Sequence, residues 1–306
     1  MKILIGYEGK AAGEAALTDL GRAGFPAQGE ATVLTVADVW APSDEVPPAS
    51  VVQAFPYLAQ VQVRAKKLLG ESKAIAARGA ERVRSVLPGW RVNAEASADS
   101  PAWAIFKKAR DTGAQLVVVG SREKTGFARW VLGSVSHKVL MECPVSVRIA
   151  RPRAKTTGPL RILIGVDGSP DAERAVDQVL ERNWPRDTMV RVVAVADDRS
   201  KIAPSQVPSL ARWARSTDTD PSAWLGRLVE SVERRFVEKG LTVTGRVREG
   251  DPKKVLIDQA SRWKADTVFL GARGLTRWER VVLGSVSTAV AMRAPGSVEV
   301  VRGRKK

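Results

Sequence analysis

Cysteine and histidine are almost missing from this sequence, and both shortages restrict its chemistry. Cys143 is the single cysteine, so no disulfide can form within the chain, which fits a reducing compartment. It precedes Pro144 at the start of an apolar run, which predicts a small buried thiol rather than a nucleophile. His137 is the single histidine. This excludes a zinc site with several histidines, and it favours a surface or capping role.

Long apolar runs are missing as well. No stretch approaches the roughly 18 consecutive apolar residues that a membrane-spanning helix needs. The opening apolar run, Met1 to Gly6, is too short for a signal peptide. We therefore expect a cytoplasmic protein without membrane contact.

The familiar catalytic motifs are absent too. The sequence contains no Gly-x4-Gly-Lys-[Ser/Thr] phosphate loop, no Gly-x-Gly-x2-Gly dinucleotide fingerprint and no kinase catalytic motif. No pair of carboxylates stands out at helical or strand spacing as general acid and base. These absences favour a protein that holds a ligand over one that transforms it.

The composition predicts a basic globular protein. The 306 residues suffice for two domains, and 44% are hydrophobic and 27% charged. The formal net charge of +16 favours polyanions in general. The basic residues are nevertheless spread along the chain, without zinc-finger spacing or an aromatic RNA-binding signature. We expect a generally basic surface rather than a dedicated nucleic-acid site.

The chain contains an internal duplication. Ile-Leu-Ile-Gly at residues 3–6 recurs at residues 162–165, an offset of 159 residues. Leu-Gly-Ser-Val-Ser at residues 132–136 recurs at residues 283–287, an offset of 151 residues. Repetition at this distance indicates two copies of one structural unit.

The repeats predict one domain over residues 1–150 and a second over residues 159–306. Arg151 to Pro159, with two prolines and several basic residues, has the composition of a linker. Short β-branched runs alternate with helical patterns in both units. This alternation predicts α/β domains with mainly parallel sheets, because parallel neighbours need crossover connections.

The element boundaries follow from periodicity and turn residues. In the first unit, strands are predicted near 2–7, 31–37, 90–96, 115–120 and 145–150, and helices near 11–23, 57–86, 101–111 and 134–141. In the second unit, strands are predicted near 160–166, 188–196, 241–248, 266–271 and 297–302, and helices near 170–182, 221–239, 252–262 and 285–292. Three of these helices are predicted to begin at a capped proline: Ser100-Pro101, Ser169-Pro170 and Asp251-Pro252.

A glycine-rich stretch near the C-terminus is suited to phosphate. Gly271 and Gly274 end an apolar run, and Gly284-Ser285 opens the last helical pattern. Glycine permits positive φ and close approach to an anion. A helix beginning at Ser285 would direct unpaired N–H groups toward the charge. An ordinary glycine-bearing loop is the alternative interpretation.

Several strand ends should converge with this stretch, because ligands collect at the carboxyl ends of parallel strands. Asp167 can accept hydrogen bonds from a ribose or a base edge, although a turn or capping aspartate is the alternative. Val195 offers an apolar surface for a purine. One arginine of the connecting loop, which contains Arg273, Arg277 and Arg280, can reach terminal phosphates, with solvated arginines as the alternative.

Together these motifs resemble the ATP-binding subgroup of the universal stress protein family. The matching features are Val-Asp-Gly-Ser at 166–169, Gly-Asp-Pro at 250–252 and Gly-x2-Gly-x9-Gly-Ser from Gly271 to Ser285. The resemblance covers both units in the tandem form of the family. It implies two doubly wound α/β domains, each with a five-stranded, mainly parallel sheet flanked by helices.

The resemblance also implies the ligand and its contacts. Adenine is expected near Asp167 and Val195, with ATP, ADP or AMP as the nucleotide and Mg²⁺ arriving with the phosphates. The expected cofactor-binding residues are Val166, Asp167, Val195, Leu270, Gly271, Arg273, Gly274, Gly284, Ser285, Val286 and Ser287. The last strands of the units are expected to pair within the chain, Val145 to Ile149 against Val298 to Val301. A homodimer and a protein partner are left open.

The first unit departs from this pattern. Glu8 takes the place of Asp167, Lys10 the place of Ser169, and Glu123 the place of Gly274. Glu123 would bring like charge near the phosphates and a β-carbon to a position where positive φ is expected. We therefore hypothesise one working nucleotide site, in the second unit. A shifted register that uses Gly126 is the alternative.

These motifs leave three classes of function open. The favoured one is an ATP-binding regulator or sensor of the stress response without substantial catalysis. The second is a protein-interaction scaffold whose nucleotide site is weak or empty. The third is an enzyme such as a slow ATPase or an adenylyl-transferring relative.

Overall fold

The structure is a computed structural model that describes residues 1–39, 56–123, 130–152, 158–197, 208–213, 220, 222–274 and 283–303. The elements of the first half are β1 (Lys2–Gly6), α1 (Ala11–Asp19), β2 (Gly29–Ala37), α2 (Pro56–Val86), β3 (Trp90–Ala98), α3 (Pro101–Asp111), β4 (Leu116–Gly120), β5 (Arg122–Glu123), β6 (Trp130–Val131), α4 (Ser134–Glu142) and β7 (Ser146–Ala150). Those of the second half are β8 (Arg161–Val166), α5 (Pro170–Leu180), β9 (Met189–Ala196), α6 (Trp224–Glu238), β10 (Thr242–Glu249), α7 (Pro252–Arg262), β11 (Thr267–Gly271), α8 (Ser285–Arg293) and β12 (Ser297–Val301).

The two halves form one continuous sheet of ten strands. Its order is β10-β9-β8-β11-β12-β7-β4-β1-β2-β3, so each half contributes five strands. Neighbours within a half are parallel, and only the β7–β12 pair at the junction is antiparallel. The predicted fold class, tandem α/β units with mainly parallel sheets flanked by helices, is confirmed.

The central strands form because they are apolar on both faces. All five residues of β4, Leu116–Gly120, are buried, as are five of the six residues of β8. Continuous apolar runs of this kind are typical of parallel strands covered by helices on both sides. The sheet therefore separates two layers of helices, and the core lies on both of its faces.

A few predicted details are wrong. The helix predicted at 11–23 ends at Asp19 and tightens into a 3₁₀ turn over Leu20–Arg22. The β5–β6 hairpin and a 3₁₀ turn at Pro208–Trp213 were not predicted. Both are too short to show a periodic pattern in the sequence.

Two of the three predicted helix caps are confirmed. Ser169 Oγ accepts a hydrogen bond from Ala172 N at 3.2 Å, and Asp251 Oδ1 accepts one from Lys253 N at 3.0 Å. Ser100 makes no side-chain cap. The neighbouring Asp99 carboxylate accepts the Ser100 N–H at 2.6 Å instead.

Cys143 and His137 have the environments expected of them. Cys143 is a buried free thiol, and burial raises its pKa. His137 is exposed on α4. No helix in the described ranges is long and apolar enough to cross a membrane.

The junction between the halves contains a buried group of four charged side chains. Arg148 on β7 lies opposite Glu299 on β12, and its Nη1 donates to Glu299 Oε2 at 3.1 Å. Arg148 Nη2 donates to Asp19 Oδ1 at 3.2 Å, and Arg182 forms an ion pair with the other oxygen of Glu299. All four residues are buried. Two positive and two negative groups therefore compensate each other away from water.

The charges at this junction also select the pairing. Burial by itself lowers the pKa of Arg148, but the carboxylates of Asp19 and Glu299 outweigh it and raise that pKa. If two copies of β7 paired in the same register, Arg148 would face Arg148. A buried like-charge contact is strongly unfavourable, so the charges favour pairing between the two different halves.

Arg151 is not part of a linker, contrary to the sequence prediction. It is 3% exposed, and its Nη1 donates to Gly296 O at 2.7 Å. Burial lowers the pKa of Arg151 to about 10. The first residue of the predicted linker is thus anchored to the second half, and residues 153–157 lie outside the described residues.

Replacing Arg148 with Met should destabilise the protein by about 3–5 kcal/mol, because Glu299 and Asp19 lose a buried partner. Urea unfolding followed by circular dichroism measures this change. Arg110→Met is the matched control, since Arg110 is exposed beside Asp111, and it should cost no more than about 0.5 kcal/mol. Equal losses in the two variants would show that the buried charges contribute little.

Candidate functional site

One cavity at the carboxyl ends of β8, β9 and β11 contains all the predicted ligand-binding residues that the structure describes. The residues lining it include Val166, Asp167, Val195, Leu270, Gly271, Arg273, Gly274, Gly284, Ser285, Val286 and Ser287. Arg277 and Arg280 lie outside the described residues. The folding of the second half thus brings together residues that are more than 100 positions apart in the sequence, from Val166 to Ser287.

The turn after β8 places Asp167 in this cavity. Gly168 has φ +76°, a left-handed conformation that glycine adopts without strain, and a β-carbon there would lie 2.4 Å from Leu210 Cδ2. Ser169 then starts α5, and its hydroxyl donates to Arg273 O at 3.1 Å. The turn is therefore bonded to the glycine loop that follows β11.

The Asp167 carboxylate is held from one side and approached closely from the other. Its Oδ1 accepts a hydrogen bond from Ser169 N at 3.0 Å. A β-carbon on Gly274 would lie 2.8 Å from Oδ2, so a side chain at this position would push the carboxylate aside. Burial raises the pKa of Asp167, while the hydrogen bonds from Ser169 act in the opposite direction. The carboxylate is a hydrogen-bond acceptor at the base of the cavity.

The N-terminus of α8 supplies main-chain donors. Gly284 caps the helix without a side chain, and its own N–H donates to Ala272 O at 2.8 Å. The first helical bond runs from Thr288 N to Gly284 O at 2.9 Å. The N–H groups of Ser285, Val286 and Ser287 consequently have no acceptor within the helix. These groups and the helix dipole favour an anion at this end of the cavity.

The side chain of Ser287 has a structural role. Its hydroxyl donates to Gly271 O at 2.6 Å and holds α8 against the end of β11. The first half repeats this bond, from Ser136 Oγ to Gly120 O at 2.7 Å. Ser287 therefore offers its main-chain N–H to a ligand, whereas its hydroxyl proton is already donated.

One of the two reasons given for the glycines from the sequence, positive φ, is wrong. Gly271, Gly274 and Gly284 do not have positive φ. A β-carbon on Gly271 would lie 2.5 Å from Ala172 N, in the first turn of α5. Close packing between backbones, rather than a left-handed conformation, therefore requires glycine at Gly271.

Arg273 is fixed to the wall of the cavity. Its Nε donates to Asp171 Oδ2 at 3.0 Å, and Asp171 is buried in the first turn of α5. The Arg273 side chain is 34% exposed. Arg273 thus presents a positive charge beside the glycine loop and is not a fully solvated side chain.

The apolar part of the cavity includes residues that sequence reasoning missed. Beyond Val195, it is formed by Val193, Trp224, Leu225, Pro252 and Leu256. Trp224 begins α6 and is 1% exposed. No local motif marks Trp224, because it follows a long segment without periodicity. Pro252 belonged to the recognised Gly-Asp-Pro motif and could have been assigned.

The corresponding positions of the first half are arranged differently. Tyr7 stands in place of Val166, and its hydroxyl donates to the Glu14 carboxylate. Burial, followed by the bond to Glu14, raises the pKa of Tyr7 to about 12. Glu8 Oε1 accepts a hydrogen bond from Gly13 N at 3.2 Å, in the first turn of α1. Gly126, the alternative loop glycine, lies outside the described residues.

No group of three or more histidine, cysteine, aspartate or glutamate side chains is placed to hold a metal ion within the described part of the chain. The cavity offers main-chain N–H groups and one arginine as hydrogen-bond donors, and carboxylates as acceptors. This combination suits an organic anion with a hydroxyl-bearing or heterocyclic portion.

Comparison with known proteins agrees with this architecture. The model of the universal stress protein family matches residues 1–151 and 160–302. A universal stress protein from Mycolicibacterium smegmatis is 31% identical over 193 residues, which cover 62% of this chain and 63% of the relative. The aligned part is thus less than two-thirds of that relative's length.

One solved structure that matches nearly the whole chain has the same fold. A universal stress protein from Archaeoglobus fulgidus superposes with a TM-score of 0.65, at 22% identity, and the match covers 99% of this chain and 98% of that one. A universal stress protein family member from Arabidopsis thaliana, solved with AMP bound, is 19% identical, covers 47% of this chain and 91% of its own, and has a TM-score of 0.33. With two matches of the family model along its sequence, this chain belongs to the universal stress protein family.

Proposed function

We propose that the second half of the chain binds an adenine nucleotide, with ATP as the expected ligand, and that the protein acts as a nucleotide-dependent regulator or sensor in the stress response. The observation that carries this proposal is a single cavity in which the N-terminus of α8, the glycine loop and Asp167 lie together. The helix N-terminus and the glycine loop suit the phosphates, and Asp167 suits the ribose or the base.

The phosphate end of the ligand fits the N-terminus of α8. The main-chain N–H groups of Ser285, Val286 and Ser287 are donors without helical acceptors, and Arg273 adds a positive charge. Gly274 has no side chain to fill the space beside them. Mg²⁺ would arrive with the nucleotide and be coordinated mainly by phosphates and water.

The nucleoside end fits the opposite part of the cavity. The Asp167 carboxylate can accept hydrogen bonds from ribose hydroxyls or a base edge. Val193, Val195 and Leu256 offer an apolar surface to the purine ring. We assign these residues to binding and assign no catalytic role to any of them.

Gly274→Glu should weaken ATP binding at least about tenfold, or 1.4 kcal/mol. The new side chain would collide with Asp167 and place a negative charge near the phosphates. Isothermal titration calorimetry with ATP measures the effect. Gly70→Glu is the matched control, because a β-carbon there meets no atom within 4 Å. If both variants bind ATP as the wild type does, the proposed site is wrong.

The wild-type chain should bind one ATP molecule rather than two. In the first half, Glu123 takes the place of Gly274, so a negatively charged residue stands at the position that the second half leaves free beside the phosphates. Equilibrium dialysis with radiolabelled ATP gives the stoichiometry directly. Two equivalent sites per chain would refute the assignment of the site to the second half alone.

Adenosine affinity should fall as the pH is lowered through the raised pKa of Asp167. The ionised carboxylate accepts two hydrogen bonds, whereas its protonated form loses acceptor capacity. The fall should begin above the range of an ordinary aspartate, because burial raises this pKa. Equilibrium dialysis with adenosine avoids titration of the phosphates. Asp167→Asn should bind adenosine more weakly and without this pH dependence; identical profiles would exclude a role for the carboxylate.

A further inference from the structure

An arginine column runs along one face of the second half, near the edge of the sheet. It consists of Arg191 on β9 and of Arg246 and Arg248 on β10. Arg191 lies opposite Thr244 in the parallel register, and Arg246 and Arg248 follow at alternate positions on the same face. Because β10 is the outermost strand at this end of the sheet, the column is open to the outside.

The column lacks ion-pair partners within the part of the chain that the structure describes. The guanidinium of Arg191 stacks on Trp263 at 4.4 Å, and its Nε is buried without a hydrogen-bond acceptor. Arg246 and Arg248 are exposed, and they donate only to the main-chain oxygens of Gly245 and Val247. Burial, followed by the charges of Arg246, Arg248 and Arg161, lowers the pKa of Arg191. The arginines therefore repel one another without compensation.

The first half shows that the fold does not require this column. With the 151-residue offset, Glu95 corresponds to Arg246 and Ser97 to Arg248. Glu95 forms an ion pair with Lys108, so the same surface of the first half is locally neutralised. The uncompensated charge is thus a property of the second half alone.

We propose that the arginine column binds the phosphodiester backbone of a nucleic acid without reading its base sequence. Guanidinium groups match phosphate in geometry and remain charged at every physiological pH. Alternate residues of a strand lie about 6.6 Å apart, so Arg246 and Arg248 present charges in a row. A phosphodiester chain likewise carries its charges in a regular row.

A lipid surface fits the column less well. Membrane-binding surfaces combine basic residues with apolar side chains that enter the bilayer. Val247 is the exposed large apolar residue on β10, and strand alternation directs it to the opposite face from Arg246 and Arg248. The arginine face itself offers nothing on this strand to insert into lipid.

The sequence predicted only a generally basic surface, because these arginines are far apart along the chain. Parallel pairing of β9 and β10 brings Arg191 next to Arg246 and Arg248. Trp263, directly after α7, packs against Arg191. Its main-chain oxygen accepts a hydrogen bond from Arg161 Nη1 at 3.0 Å, which places a fourth arginine nearby. The concentration of charge arises from the tertiary structure. Arg246 and Arg248 lie opposite Val193 and Val195 in the register, so the column borders the apolar wall of the cavity.

The double variant Arg246→Glu/Arg248→Ser tests the proposal. It places at these two positions of the second half the residues found at the corresponding positions of the first, Glu95 and Ser97. Fluorescence anisotropy with a labelled single-stranded DNA oligonucleotide, in saturating ATP, measures affinity at several salt concentrations. We expect roughly tenfold weaker binding, and a slope of log affinity against log salt that is shallower by about 1.4, or 0.7 for each lost contact. The melting temperature should be unchanged.

The control is Arg78→Glu combined with Arg234→Ser, which changes the net charge equally at exposed arginines elsewhere. If this control weakens DNA binding as much as the column variant, overall charge explains binding and the proposal fails. Tighter binding to phosphatidylserine vesicles than to DNA would also overturn it. So would displacement of the labelled DNA by polyglutamate as effective as that by unlabelled DNA. If the double variant does not fold, Arg248→Ser alone should still weaken binding and reduce the salt slope.

Discussion

The antiparallel contact between β7 and β12 is the constraint on which the whole molecule depends. It joins two five-stranded sheets into one sheet of ten strands, and it places four charged side chains away from water. Arg148 and Glu299 occupy corresponding positions in the two halves but have opposite charges. Because each needs the other for compensation, the duplicated halves are complementary rather than identical. The interface thus favours pairing between the two different halves over pairing between two copies of the same half.

The two halves share the position of their last helix but differ in the turn after their first strand. Ser136 and Ser287 make equivalent bonds to the ends of β4 and β11, so the last helix of each half begins in the same place. The difference lies in the turn after the first strand. Asp167 turns one carboxylate oxygen toward the cavity of the second half, whereas Glu8 caps α1 in the first. A nucleotide site in one half alone is consistent with this division.

Charge is also divided unequally between the halves. Glu95 and Lys108 neutralise each other in the first half, while Arg191, Arg246 and Arg248 accumulate in the second. The cavity that we propose to bind a nucleotide and the arginine column lie in the same half, and β9 contributes to both through Val195 and Arg191. The first half contributes the five strands that extend the sheet of the second half. Under the proposals made above, ligands bind to the second half, and the first half has a structural role.

Local patterns in the sequence determined the helices and strands, the duplication and the positions of the cavity residues, because periodicity, capping and turn chemistry act over a few residues. The sequence indicated Asp167, Gly274 and Ser285 correctly as members of one cavity. Only the tertiary structure showed why Gly271 must be glycine, since its close neighbour Ala172 lies 99 positions away. It alone also revealed Trp224 in the cavity, the burial of Arg151 and the partners of Arg148. Such contacts join distant segments, and no short-range pattern records which segment will cover a given side chain.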